Sequence, residues 1–334
     1  MTAWFGRSVV VAALLVSACA SGSPAASTPA GSAIASTPPS GPPSSNPPDL
    51  EGRILFTRSG ATYGEDTVFT ANANGTNEHQ IGDLGSACCP WATRDGTRIS
   101  ISAEAPDGRI TTALINFDGS DRYLVPLPDG TLNLGPGPFS PDGRQIAFEG
   151  FDFTDDTLAG IYIGNTDGTD LMRITQERDV PGDWSPDGTQ VVFFRGPEGD
   201  PPPAGRLFVV SVDGTEEHQL TPEGVEVACC WGYRWSPDGS RILFADASGV
   251  VWVINPDGTD LTQLFIDAEV QHVRRYAVSP TWSPDGAQVM FGLDPVPPFF
   301  EATTNGLYVI EADGTGLTLV IGGGDYKREP FWIP

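Results

Sequence analysis

The sequence predicts an all-β fold, a six-bladed β-propeller of four-stranded antiparallel blades whose ring is closed by the N- and C-terminal strands meeting in one blade. Three observations predict it. A first module recurs as FSPDGRQIAF (139–148), WSPDGTQVVF (184–193), WSPDGSRILF (235–244) and WSPDGAQVMF (282–291), with a looser WATRDGTRISI at 91–101. Its aspartates, Asp95, Asp142, Asp187, Asp238 and Asp285, stand 45 to 51 residues apart, a spacing typical of propeller blades. A second module follows each copy, as in LFVVSVDGTEEHQLT and VWVINPDGTDLTQL, and its turn occurs six times, at Asn74, Asp118, Asp167, Asp213, Asp257 and Asp313. The chain ends complement one another: EGRILFT at 51–57 reads as a second strand, and KREPFWIP at 327–334 as a first strand.

Each element has a local reason. The tryptophan segment is the first strand, and S-P-D-G after it is a tight turn, with proline setting φ and glycine accepting positive φ. A β-branched, alternating run is the second strand. A variable loop leads to the third strand, which ends in D-G-T, a two-residue hairpin signal. The HQLT type of segment is the fourth, so His79 and His218, at matching repeat positions, are expected to be strand residues. NTDGTD at 165–170 lacks the ligand spacing and final glutamate of a calcium loop, and reads as one of these hairpins. Pairing the two chain ends in one blade leaves no exposed sheet edge.

Residues 1–18 read as an export signal, with one positive charge at Arg7 and an apolar run from Val9 to Val16. VSAC, ending at Cys19, resembles a bacterial lipoprotein signal, which implies lipidation of Cys19 and attachment to the extracytoplasmic side of the cell membrane. Residues 19–50 are almost wholly Ala, Ser, Thr, Pro and Gly, too poor in apolar side chains to offset the entropy of ordering them, and are expected to form a disordered tether. Residues 51–334 form the propeller. The net charge of −25 argues against nucleic acid or an anionic lipid surface as the main partner, so contact with the membrane is expected only through the N-terminal lipid.

The pattern W-S-P-D-G-x-x-I/V-x-F followed by L/I-Y/F-V-x-x-x-D-G-T resembles the TolB-type propeller repeats, which also occur in the propeller domains of prolyl-oligopeptidase-like enzymes. The resemblance covers nearly all of residues 51–334. It implies a monomeric binding or scaffolding module for an envelope protein or peptide, working without a cofactor. TolB proteins carry an additional N-terminal α/β domain and work with envelope partners, including a peptidoglycan-associated lipoprotein. Here a tether is expected in that domain's place, so only the general role carries over.

Strand order divides the connections. The S-P-D-G and D-G-T turns share one face, and the variable connections share the other, where binding usually resides. On that loop face His272, Arg274 and Arg275 fall in one connection, and Lys327 and Arg328 in the next, a positive group suited to carboxylates or another anion. Phe299 and Phe300 lie in LDPVPPFFEATTN on the same face and would suit a protein partner. Asp183 and Arg234 each precede the tryptophan of an innermost strand in successive blades, where they would line the channel as a pair or satisfy one another.

No G-x-S-x-G elbow is present, and no catalytic residues are assigned. Carbohydrate or peptidoglycan binding on the same face is the alternative function, followed by a propeller hydrolase or lyase acting on envelope polymers. Two cysteine doublets, Cys88–Cys89 and Cys229–Cys230, enter the second and fifth blades, which are opposite in a ring of six. Vicinal disulfides are the favoured reading despite their strain, because cross-channel bonds would need a long reach. Cross-channel bonds, free thiols and a soft metal held by four sulfurs stay open, and no metal site is otherwise assigned.

Overall fold

The computed structural model describes residues 50–334 apart from 60–65, 83, 85–89, 198–203, 230–231, 266–274, 296–304 and 324, and the backbone alone of 275–276 and 294–295. The chain begins with β1 (Arg53–Ser59), β2 (Thr67–Asn72) and β3 (His79–Gln80). Four-stranded units follow: β4 (Trp91–Ala92), β5 (Arg98–Glu104), β6 (Ile110–Asn116) and β7 (Tyr123–Leu124), then β8 (Asn133–Gly135), β9 (Gln145–Phe151), β10 (Gly160–Asn165) and β11 (Met172–Arg173). The fourth blade holds β12 (Asp179–Trp184), β13 (Gln190–Arg195), β14 (Arg206–Ser211) and β15 (His218–Gln219), and the fifth β16 (Tyr233–Trp235), β17 (Ile242–Ala245), β18 (Val251–Ile254) and β19 (Thr262–Phe265). The sixth holds β20 (Arg275–Trp282), β21 (Gln288–Pro295), β22 (Gly306–Glu311) and β23 (Thr318–Gly322), after which β24 (Tyr326–Ile333) returns to pair with β1. The result is six antiparallel sheets of four strands, and the first has the order β24-β1-β2-β3.

The turn chemistry explains the repeated residues. In the turn between β16 and β17, the Ser236 hydroxyl donates to Asp238 at 2.6 Å and accepts the Arg241 amide at 3.0 Å. Gly239 completes the turn at φ 73°. Serines 140, 185 and 283 make the same pair of bonds, and Thr93 takes their place in the second blade. These first-to-second-strand turns also tile around the ring, with Gly188 against Pro141, Gly239 against Pro186 and Gly286 against Pro237. In the other turn, Asp213 accepts both the amide and the hydroxyl of Thr215, and Asp167 and Asp257 do the same for Thr169 and Thr259. NTDGTD is therefore a hairpin.

The core lies between the blades. Leu55 of the first blade packs with Ile99 and Ile101 of the second, and Ala147 of the third with Trp184, Val191 and Phe193 of the fourth. These sheet faces are buried, so second strands such as β13 and β17 have continuous apolar centres, the signature of a sheet covered on both sides.

In the first blade the two chain ends stand where the other blades have their first-to-second-strand turn. Arg53 pairs with Ile333, and Trp332 donates its indole N–H to the Glu51 carbonyl at 2.9 Å. Gly52, at φ 91°, lies so close to the Ile333 carbonyl that any side chain would collide with it. Leu50 is already buried, among Ile54, Ala73 and Trp332. Removing residues 326–334 would uncover the β1 edge and delete the buried side chains of Trp332 and Ile333. At about 1.5–3 kcal/mol per large apolar side chain, these two alone cost about 3–6 kcal/mol, and the lost β1 pairing adds to that. Calorimetry should then show Tm lowered by roughly 10 °C or more, with dye binding to the opened edge; an unchanged Tm would refute closure by these strands.

Candidate docking face and the central channel

The loop end of the third blade presents an ordered aromatic. β9 ends at Phe151, and the buried carboxylate of Asp152 accepts the amides of Thr154 at 2.7 Å and Asp155 at 3.0 Å. Hydroxyls of Thr131 and Thr154, with these amides, hold the Asp152 pKa down to about 2, so this clamp stays charged. Asp155 then caps a single 3-10 turn, Asp156–Leu158, by accepting the Thr157 amide. Arg173 donates to the carbonyls of Thr157 and Ala159, and the Tyr162 hydroxyl donates to that of Leu158 at 2.9 Å. The pinned loop carries Phe153 at 68 % exposure, edge-on to Phe151 at 5.4 Å. The second blade carries a shallow cleft of roughly 320 Å³, lined by Pro106, Pro126, Leu124, Leu127 and Arg109.

Below this loop, between the third and fourth blades, sits Glu149. Burial pushes its carboxyl up to about 7, and only the more distant charge of Arg178 acts against that rise. Its side chain lies over Gly135, whose missing side chain leaves the space for it. Arg178 is meanwhile ion-paired to Asp156 at 2.5 Å, which leaves its charge divided between the two acids.

The channel is crossed by charged side chains. Asp183 follows a bulge in β12 between Pro181 and Asp183, a feature that re-aims side chains. Its two oxygens accept the amides of Trp184 at 2.9 Å and Trp235 at 3.0 Å, and Arg234 Nη1 donates back to the Gly182 carbonyl at 2.9 Å. The two residues thus stitch β12 to β16 reciprocally. The Arg234 guanidinium also spans the channel to lie over the Trp91 ring of the opposite blade at 4.1 Å and near Phe331 of the first blade at 5.2 Å. Arg94, which stands where the other blades have the turn proline, reaches the Trp184 carbonyl at 3.3 Å. Burial raises the Asp183 carboxyl above its ordinary value, partly offset by Arg234, Arg94 and the two amides.

The other sequence-predicted residues separate. Lys327 was expected on an exposed connection; instead it is fully buried within β24, and its ammonium is engaged by Asp325 at 2.6 Å. The reason is that the ring-closing strand starts at Tyr326, well before its tryptophan, and carries Lys327 inward. Arg328 is half-buried in the same strand, its guanidinium over the Tyr326 ring at 4.8 Å. Arg275 begins β20, and its side chain, like His272, Arg274, Phe299 and Phe300, lies outside what is described. Cys88, Cys89 and Cys230 also lie outside the described residues, while Cys229 is half-buried against the core that includes Val225 and Tyr233. Among the described residues no three His, Cys, Asp or Glu side chains are grouped to hold a metal ion, and no helix is long and apolar enough to cross a membrane.

Glu149, Phe153 and Arg94 were missed by sequence reasoning, although each left a trace. Glu149 occupies a repeat position held elsewhere by Thr57, Ser102, Phe194, Ala245 and Gly292, and Arg94 replaces a proline. Phe153 has the weaker signal of a D-F-T-D stretch, which suits a side-chain-capped turn.

Fold and site together define a closed six-bladed β-propeller with a channel bridged by side chains and an ordered aromatic on its loop face. A family model described as the TolB beta propeller domain matches residues 52–334, and the chain belongs to that family. Among solved structures it is similar to TolB from Acinetobacter baumannii, with a TM-score of 0.61 and 19 % identity over 85 % of this chain and 67 % of that one. A protein designated TolB from Agrobacterium tumefaciens gives 0.59 and 17 % over 85 % of this chain and 100 % of its own. An oligogalacturonate lyase solved with manganese gives 0.53 and 16 % over 81 % and 74 %. At these identities the likeness is one of fold.

Proposed function

We propose that the protein is a lipid-anchored, extracytoplasmic propeller that docks an envelope protein or peptide on its loop face without catalysing a reaction. The observation that carries this reading is Phe153. A large aromatic held in solvent by a charged clamp and a capped turn has already lost the freedom that docking would otherwise remove, which favours its use as an anchor in a partner's pocket. Membership of the TolB propeller family supports a binding role. The basic residues expected in the connection before β20, His272, Arg274 and Arg275, together with Arg328 near the start of β24, are proposed as a secondary contact set.

The test is affinity capture from envelope extract with the wild-type chain, with Phe153→Ser, and with those four basic residues changed to Ala. Phe153→Ser is expected to weaken capture of the specific partner by about tenfold or more, as for an aromatic hot spot. Undiminished capture by both variants would exclude this face. Turnover of envelope glycans by the purified protein would exclude the non-catalytic reading.

A further inference from the structure

The point at which the tether leaves the propeller determines which face looks outward. We infer that a chain anchored through Cys19 holds its turn face toward the bilayer and its loop face, with Phe153, away from it. This rests on the lipid-anchor reading above and adds an orientation to it. Leu50 to Gly52 and Ile333 to Pro334 occupy the place of the first blade's missing turn, so the preceding residues depart from the inner ring of turns at the channel mouth. Phe153 lies at the opposite end of the strands, after β9 has run from its turn at Gln145 to Phe151.

The charge of the turn face opposes close approach to an anionic bilayer. The exit is ringed by Asp95, Asp142, Asp187, Asp238 and Asp285, each holding its carboxyl below the ordinary range because a Ser or Thr hydroxyl donates to it. Five more turn aspartates lie farther out at the same end, from Asp118 to Asp313. The arginines of these turns and their flanks, Arg53, Arg94, Arg98, Arg122, Arg144 and Arg241, are fewer than the aspartates. An anionic bilayer would therefore repel the turn face, and the facing set by the attachment point is expected to be strongest where salt screens that repulsion. If residues 19–50 form the tether that their composition predicts, a coil of about 30 residues has an r.m.s. span of roughly 30 Å, comparable to the Debye length of ~30 Å at about 0.01 M salt.

The experiment uses the full-length lipidated protein in vesicles of phosphatidylethanolamine and phosphatidylglycerol that contain an acceptor-labelled lipid. A donor dye is placed through a non-natural residue at position 144 on the turn face or, separately, at position 153 on the loop face. Transfer from 144 is expected to exceed transfer from 153 by about twofold or more, and transfer from both positions to rise as salt goes from about 0.01 to 0.5 M. Equal transfer from the two positions, or stronger transfer from 153, overturns the orientation while leaving the anchor intact. Failure of the protein to float with the vesicles overturns the anchor reading, and the orientation with it.

Discussion

Replacing Arg234 by methionine is expected to destabilise the protein by about 3 kcal/mol at pH 8, the scale of leaving a buried charge without the charge that opposes it. The methionine keeps much of the apolar stem but removes the bond to the Gly182 carbonyl and the contacts over Trp91 and Phe331. It also leaves the Asp183 carboxylate without its main opposing charge. Burial already raises the Asp183 pKa, and losing Arg234 raises it further, so the deficit should be greatest at high pH and shrink as acid neutralises the carboxyl. Asp183→Asn in the same background should restore part of the loss, because the uncompensated charge is then gone. Denaturant unfolding of the two single variants and the double variant measures this coupling. Additive effects would mean that the pair does not act as a unit.

Glu149→Gln is expected to stabilise the protein at pH 8, by about 2–3 kcal/mol. Its carboxyl titrates near 7 in the folded state against 4.5 as a free group, a difference worth about 3 kcal/mol before allowing for partial access of water. The folded state binds this proton more tightly than the unfolded state does. Its contribution is therefore fully favourable below the unfolded pKa and is lost as pH rises from about 4.5 through about 7. Glutamine abolishes that loss, so the gap between variant and wild type should open across this window and be only a few tenths of a kcal/mol at its acid end. Thermal unfolding from pH 4.5 to 8 reads the gap directly. The large negative net charge also destabilises the folded state as pH rises, but it is common to both proteins and cancels in the difference. A constant gap would place the Glu149 carboxyl in contact with water or with a cation.

Repeat spacing made the blade count legible, because each turn motif satisfies its own hydrogen bonds within a few residues. Ser236 and Asp238 need nothing beyond Arg241 to form their turn, and the same holds at each matching copy. The ends of the chain were legible for a related reason: Arg53–Ser59 and Tyr326–Ile333 are the two halves of a pattern that every other blade shows whole. Lys327 was misjudged because the repeat marks a first strand by its tryptophan, and the strand extends to Tyr326 in the direction where the repeat is least regular. Asp183 and Arg234 were recognisable as charges at positions elsewhere small or apolar. Their bonds to the backbone amide and carbonyl of each other's strands were not, since these depend on the bulge in β12 and the spacing of two blades.

The sequence by itself therefore determined what is local: the four-stranded unit, its turns, its number of copies and the pairing of the two ends. Tertiary structure alone decided which side chains meet across the ring. Trp91, Arg234 and Phe331 are far apart in the chain and come within reach only because closure sets the second blade opposite the fifth and beside the first. The enclosure of the Glu149 side chain over Gly135 and the exposure of Phe153 were decided in the same way, by the space a glycine leaves and by the clamp that holds a loop outward. A repeat encodes the contacts within each unit, whereas contacts between units depend on the geometry of the whole ring.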